Sequence, residues 1–302
     1  VSEEDLYDEY PLSDDLDREI LMHRDAHFGG SFDVMMEYYL AGGKGVQPHF
    51  EVARMNYLKA VEEETGENLA PMLLSGVDAE KIARSRDKYK TLRAIYEKGT
   101  GSERYPTLIA DLILSEEEEP TSEIEEIVRE EKKIIPFLLD LLKSEEFQDS
   151  LFPGYGHAPA LAAKCLGKLG DEKVVFSLFQ EADKEDFEDE QMIIRALYEI
   201  GAPTKEFLLK VIQQKPYGVE NERAALVLMQ FLGDIDIQRV AVSLLEDPDL
   251  LERDVLTSYA LLLLEDLSDP ELQERARRVL ETDFFPKDLE SDKQAILRSW
   301  QS

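Results

Sequence analysis

Basic residues are scarce in this chain. Lysine and arginine number 34 against 66 acids, for a formal net charge of −32 at pH 7. Affinity for nucleic acid rests largely on Lys and Arg neutralising phosphates, so this balance disfavours DNA and RNA as partners. An anionic membrane surface repels such a chain as well. Cysteine is nearly absent. Cys165 stands alone, which rules out an internal disulfide and fits a reducing, cytoplasmic setting. No uninterrupted apolar run approaches the length of a membrane span. The first residues, Val1-Ser2-Glu3-Glu4-Asp5, are acidic, unlike the basic start of a secretory signal. Alternating β-branched runs between hairpin turns are missing, so a sheet is not expected. The glycine and serine signatures of nucleotide-binding and hydrolase sites are missing too. Gly42-Gly43-Lys44-Gly45 lacks the phosphate-loop spacing and reads as a helix C-cap turn.

What the chain does have is a unit that comes round four times in its second half. Gly170, Gly201, Gly233 and Ser268 each follow a helical apolar run. Counting back, the same offsets recur. They are Ala162, Cys165, Leu166 and Leu169, then Ile193, Ala196, Leu197 and Ile200. Next come Ala225, Leu228, Met229 and Leu232, and last Ala260, Leu263, Leu264 and Leu267. An i, i+3, i+4, i+7 stripe at a near-constant period marks stacked helical hairpins. The turns agree. Asp171, Asp234 and Asp269 stand where an N-cap is wanted, Thr204 does so after Pro203, and Pro270 suits a first helical position. Ser291 and Gln294 read as a capping box opening a last helix through Ile296 and Trp300.

The first hundred residues read as a separate helical region. Residues 1–12 form an acidic lead-in, and Ser13 caps a helix to about Phe28 that Gly29-Gly30 ends. Ser31 caps a second helix with Phe32, Met35, Met36 and Tyr39 on one side. A third, over 49–65, carries Phe50, Ala53, Tyr57 and Val61. A long charged helix over 78–98 is broken by Gly99 and Gly101. Its bases, Lys81, Arg84, Arg86, Lys88, Lys90 and Arg93, fall all around it, as on a solvated helix. Beyond it, Ser122 and Glu125 suggest a capping box, and Pro136 a kink or a fresh start within Ile134 to Leu142.

The run Ala162-Ala163-Lys164-Cys165-Leu166-Gly167-Lys168-Leu169-Gly170-Asp171, followed by Lys173-Val174-Val175, resembles a HEAT repeat. Its likeness is to the short bacterial type associated with phycobilisome lyases. Ala224-Ala225 to Leu232-Gly233-Asp234 is a second good match, and the resemblance covers roughly residues 157–283. It implies an all-α fold, a right-handed superhelical α-solenoid of HEAT-like hairpins whose concave face holds a partner protein. It brings no catalytic residues, and no bilin-binding motif is present. The expected organisation is an N-terminal helical region over 1–100 and a HEAT-like solenoid with a C-terminal capping helix over 101–302.

Three places could carry function. His23 and His27, four apart, could face one metal from a helix, with His49 or a carboxylate from elsewhere in the chain as a third ligand. Arg24 stands where a zinc-helix glutamate would, so helix packing is the preferred reading and no metal or cofactor is assigned. Cys165 as a nucleophile would need exposure and a basic neighbour, and its apolar stripe favours burial instead. The loop over 145–159 is the third. Phe152, Tyr155 and His157, held among Pro153, Gly154, Gly156 and Pro159, either grip a partner or fold back onto the helices. The acidic runs Glu116 to Glu119 and Asp183 to Glu190 lack EF-hand spacing and read as solvated loops. The reading reached is a non-enzymatic scaffold for a protein partner with basic segments. The alternative is a metal- or small-ligand-binding protein with its site near His23 and His27.

Overall fold

A computed structural model describes residues 14–98, 104–183, 187–282 and 285–300. The acidic lead-in, the Ser13 cap, the Gly99 and Gly101 break and part of the 183–190 run lie outside them. Every regular element among the described residues is helical. The chain divides into two compact units, Val1–Ala162 and Ala163–Ser302. This division follows compactness, whereas the boundary expected after residue 100 followed the onset of repeat-like patterning.

In the first unit the helices are α1 (Asp14–His27), α2 (Phe32–Ala41), α3 (Val52–Thr65), α4 (Ala70–Leu73), α5 (Gly76–Lys98), α6 (Arg104–Leu114), α7 (Thr121–Arg129) and α8 (Ile135–Leu142). The side chain of Ser31 accepts from the Val34 N–H and starts α2, and Gly42, in the left-handed region, ends it. A 3₁₀ turn over Glu131–Ile134 precedes α8, with Pro136 in its first turn, so the proline opens a helix instead of bending one. α1 packs on α4 and α5, α2 on α3, and α6 on α5, α7 and α8. Ile20, Leu21, Phe32, Met35, Met55 and Leu58 form the heart of one core.

Two expectations fail here for physical reasons. α7 starts at Thr121 without a side-chain cap, because the Ser122 hydroxyl donates to Glu123 and Glu125 pairs with Arg129. α3 buries Arg54, Met55 and Leu58, while Ala53 faces solvent. Arg54 turns inward because Asp17 on α1 meets it as a fork, with Nε at 2.7 Å and Nη2 at 2.8 Å from the two carboxylate oxygens. Arg24 is likewise fully buried, bonded to Asp25, Glu62 and Asn68 and lying over the Phe32 ring.

Helix α9 (Ala158–Leu169) carries the boundary. The second unit continues with α10 (Val175–Gln180), α11 (Phe187–Ile200), α12 (Ala202–Ile212), α13 (Val219–Leu228), α14 (Ile235–Leu245), α15 (Pro248–Leu251), α16 (Asp254–Leu262), α17 (Pro270–Leu280) and α18 (Glu290–Ser299). α11 packs on α13, α13 on α16 and α16 on α18, while α10 packs on α12 and α14 on α17. Gly170, Gly201 and Gly233 all sit at positive φ, where one helix ends and the chain turns into the next. Asp171, Asp234 and Asp269 then accept backbone N–H groups of the following turn.

The repeat is not uniform. At the fourth turn Asp266, not Ser268, takes the left-handed conformation. In the third unit a 3₁₀ turn over Met229–Phe231 tightens the helix end and turns Leu232 outward. Thr204 is no cap. Gly201 holds that position, and Thr204 lies buried inside α12 with its hydroxyl unpaired. The proposed Ser291 and Gln294 box is also replaced, since α18 begins one residue earlier and Gln294 donates to Glu290. Asn221, which the apolar pattern passed over, ties the end of α12 to the start of α13. Its amide donates to the carbonyls of Val211, Ile212 and Gln214 and its oxygen accepts from the Gly218 N–H.

Two outcomes test this packing. Asp17→Asn leaves Arg54 charged and buried, and should cost about 3–5 kcal/mol in urea unfolding. Replacing both partners, Asp17→Leu with Arg54→Met, should recover most of that loss. Gly167 lies against the α11 backbone, where an added Cβ would come within 2.6 Å of the Ala196 Cα. Gly167→Ala should therefore destabilise the protein by about 1–3 kcal/mol in the same assay.

Candidate functional site

The first unit gathers histidines and tyrosines that are far apart in sequence. His23 and His27 share a face of α1 because four residues make about one turn, and their ring centroids lie 4.5 Å apart. Tyr39 from α2, Phe50 and Tyr155 surround His23, while Tyr89 from α5 and Tyr155 close on His27. Both His27 nitrogens are engaged. Nε2 lies 2.9 Å from the Ser150 carbonyl, which can only accept, so Nε2 carries the proton. Nδ1 then accepts from the Tyr89 hydroxyl at 2.8 Å.

Burial holds the cluster neutral. It pulls the pKa of His23 down to about 3, with His27 nearby adding to the effect. Burial likewise pulls His27 down to about 4. The same cause raises the phenols of Tyr38, Tyr39, Tyr89 and Tyr155. His23 Nε2 is buried with no hydrogen-bond partner.

The lone pair of the His27 ring is engaged by Tyr89, and exposed His49 pairs with Glu19. Among the described residues no group of three or more His, Cys, Asp or Glu side chains is placed to hold a metal ion. Cys165 is fully buried and its thiol is pushed up to about 12 by burial, which leaves no thiolate for nucleophilic chemistry.

The aromatic loop needs correction. Phe152 is 2 % exposed and Tyr155 6 %, so neither is an exposed anchor. Phe152 packs with Met22, Ala26, Ile82 and Leu151. Tyr155 reaches its place through a left-handed run of Gly154, Tyr155 and Gly156, and its hydroxyl lies 3.3 Å from Glu116. Glu116 also accepts from Tyr38 at 2.8 Å. His157 is half-buried at the N-terminal edge of α9. The glycines before His49 take on a role that motif reading missed. Gly43 and Gly45 lie flat against the rings of Tyr38 and Tyr155, where a Cβ would come within 2.2 and 2.3 Å.

A second feature is open and charged. A cleft of about 400 Å³ lies between α6 and α7, lined by Leu108, Asp111, Leu114, Glu123 and Glu126 with Ser115 and Ser122. Burial, and then Glu126 and Glu123 beside it, raise the Asp111 carboxyl above its ordinary range. Chemically this is an acidic cleft with two leucines in its lining, suited to the charged head and apolar stem of Arg or Lys. In the second unit, exposed Phe176 meets Phe207 of the next hairpin at 6.3 Å.

Comparison with known proteins gives no match to a family model, to a curated protein or to a solved structure. The HEAT-repeat resemblance therefore rests on the residues that carry it.

Gly45→Ala should displace the Tyr155 ring, at a cost of about 1–3 kcal/mol and with altered tyrosine signals in near-UV circular dichroism. Tyr155→Phe keeps the ring but removes a hydroxyl that meets Glu116, Tyr38 and Tyr89, and should cost about 0.5–1.5 kcal/mol. A larger loss from the phenylalanine variant would contradict the packing role given to the glycine.

Proposed function

We propose that this protein is a non-enzymatic interaction scaffold that holds basic segments of a protein partner. The observation that carries this reading is the acidic cleft between α6 and α7. Three carboxylates face one space, and an entering cation relieves their mutual repulsion.

The architecture of the second unit supports the same reading. Its packed helical hairpins, left-handed glycine turns and aspartate caps support a reading as a right-handed HEAT-like solenoid. Exposed Phe176 and half-buried Phe207 give such a surface an apolar foothold. No helix among the described residues is long and apolar enough to cross a membrane. A lone, buried, unreactive cysteine suits a cytoplasmic setting.

Fluorescence anisotropy with labelled peptides tests the reading. A peptide alternating Arg or Lys with Leu should bind better than a charge-matched peptide lacking leucine. Affinity should fall as salt rises from about 50 to about 300 mM. Asp111→Asn combined with Glu126→Gln should weaken binding roughly tenfold. Equal affinity in the variant, or no salt dependence, would defeat the proposal.

A further inference from the structure

We propose that the turn of the third hairpin in the second unit is a docking surface for a partner segment with an apolar anchor, Leu or Phe, flanked by Lys or Arg. The surface consists of Tyr198 near the end of α11, Phe231 and Leu232 in the turn, and Ile235 at the start of α14. It belongs to a different unit from the acidic cleft, and the proposal stands independently of that site.

The other repeats give these turn positions to different side chains. Counting from Gly170, Gly201, Gly233 and Ser268, the counterparts of Phe231 are Lys168, Glu199 and Asp266, all charged and exposed. Those of Ile235 are Glu172, Pro203 and Pro270. Leu232 corresponds to half-buried Leu169 and to Ile200 and Leu267, which are buried. The 3₁₀ turn over Met229–Phe231 breaks that pattern, because its tighter winding turns the next residue away from the core. Leu232 is 44 % exposed, Ile235 41 % and Tyr198 47 %. Phe231 lies edge-on to Tyr198 with ring centroids 4.9 Å apart, which joins α11 to the turn. Gly233, at positive φ, folds the turn back so that the Asp234 N–H donates to the Phe231 carbonyl at 3.3 Å. Ring contact and tight turn thus gather the apolar side chains into one patch.

Charge and area select the occupant. Asp234 and Asp236, beside Ile235, take Lys205 and Arg239, and Glu199, beside Tyr198, takes Arg195. The neighbouring turn is tied to α14 by the bond from the Gln238 amide to the Glu265 carbonyl. There Glu265 and Asp266 are exposed and make no ion pair among the described residues. The bases beside the patch are committed while these two acids are free, so a cationic flank is favoured. A second copy of the chain would bring its net charge of −32 against the same sign. The patch also offers only a few hundred Å², well short of the roughly 800 Å² per partner that a stable protein pair buries. One or two anchor side chains of a short cationic segment fit it.

Photo-cross-linking of the full chain with a synthetic peptide tests this. The peptide carries photoreactive leucine beside phenylalanine, with lysines on both sides. Mass spectrometry should place its cross-links in the second unit on Tyr198, Phe231, Leu232 and Ile235. A peptide with glutamates in place of the lysines should give about tenfold fewer cross-links there. Leu232→Gln with Ile235→Gln keeps every charge and alters only exposed side chains. It should cut cross-linking to Tyr198 and Phe231 about tenfold, with an unchanged thermal unfolding temperature. Cross-links no denser at the patch than over the rest of the unit, equal yield from the glutamate peptide, or full yield in the variant would overturn the proposal. So would dimerisation of the free wild-type protein in sedimentation that the variant abolishes, because a second copy would then be the occupant. The wild-type map and the glutamate peptide decide the question even if the variant folds poorly.

Discussion

Carboxylates outnumber their possible partners in this chain by 66 to 34, and the structure is arranged around that surplus. Several of the bases tie one helix to another. Arg54 anchors α3 to α1 through Asp17, and Arg24 joins α1 to the end of α3 through Glu62. In the second unit Lys205 reaches Asp234 at the next turn, and Arg275 on α17 forks onto Glu246 at the end of α14. Each tie couples neighbouring helices and uses up a cation. What remains at the surface is mainly acid, and acid facing acid, as in the cleft between α6 and α7, needs a cation from elsewhere. Fold and proposed function thus follow from one imbalance of charge.

Polar groups inside the first unit are managed in a different way. Where ion pairs are not formed, burial keeps the groups neutral. His23, His27 and four tyrosines share a space that would be costly for any charge. Hydrogen bonds then run through neutral donors and acceptors, from Tyr89 to His27 and from His27 to Ser150. Neutrality makes this cluster firm near pH 7 and gives it a dependence on acid that an apolar core would lack.

Local chemistry was the part of the fold legible in the sequence. Ser31 and Gly42 bound α2 as their residue types demand, and glycines at 170, 201 and 233 turn the chain ahead of Asp171 and Asp234. These signals act within one turn of helix, so a single sequence contains them. Long-range pairing was not legible. Arg54 reads as an exposed residue because its partner lies on another helix, and apolar patterning gives a buried arginine no place. Asn221 and the ring-facing Gly43 and Gly45 were hidden for the same reason. Thr204 and Ser122 carried sound capping chemistry, but Gly201 and Pro120 hold the N-cap positions. Of the candidate site, the facing of His23 and His27 was readable from their spacing. The burial of Phe152 and Tyr155 depended on which helices cover them.

The most direct measurement is zero-length carboxylate-to-lysine cross-linking of the full protein with a bound Lys- and Leu-bearing peptide, mapped by mass spectrometry. The account expects cross-links concentrated at Asp111, Glu123 and Glu126, the carboxylates of the cleft. Cross-links spread evenly over the surface acids, with those three no more reactive than the rest, would contradict it.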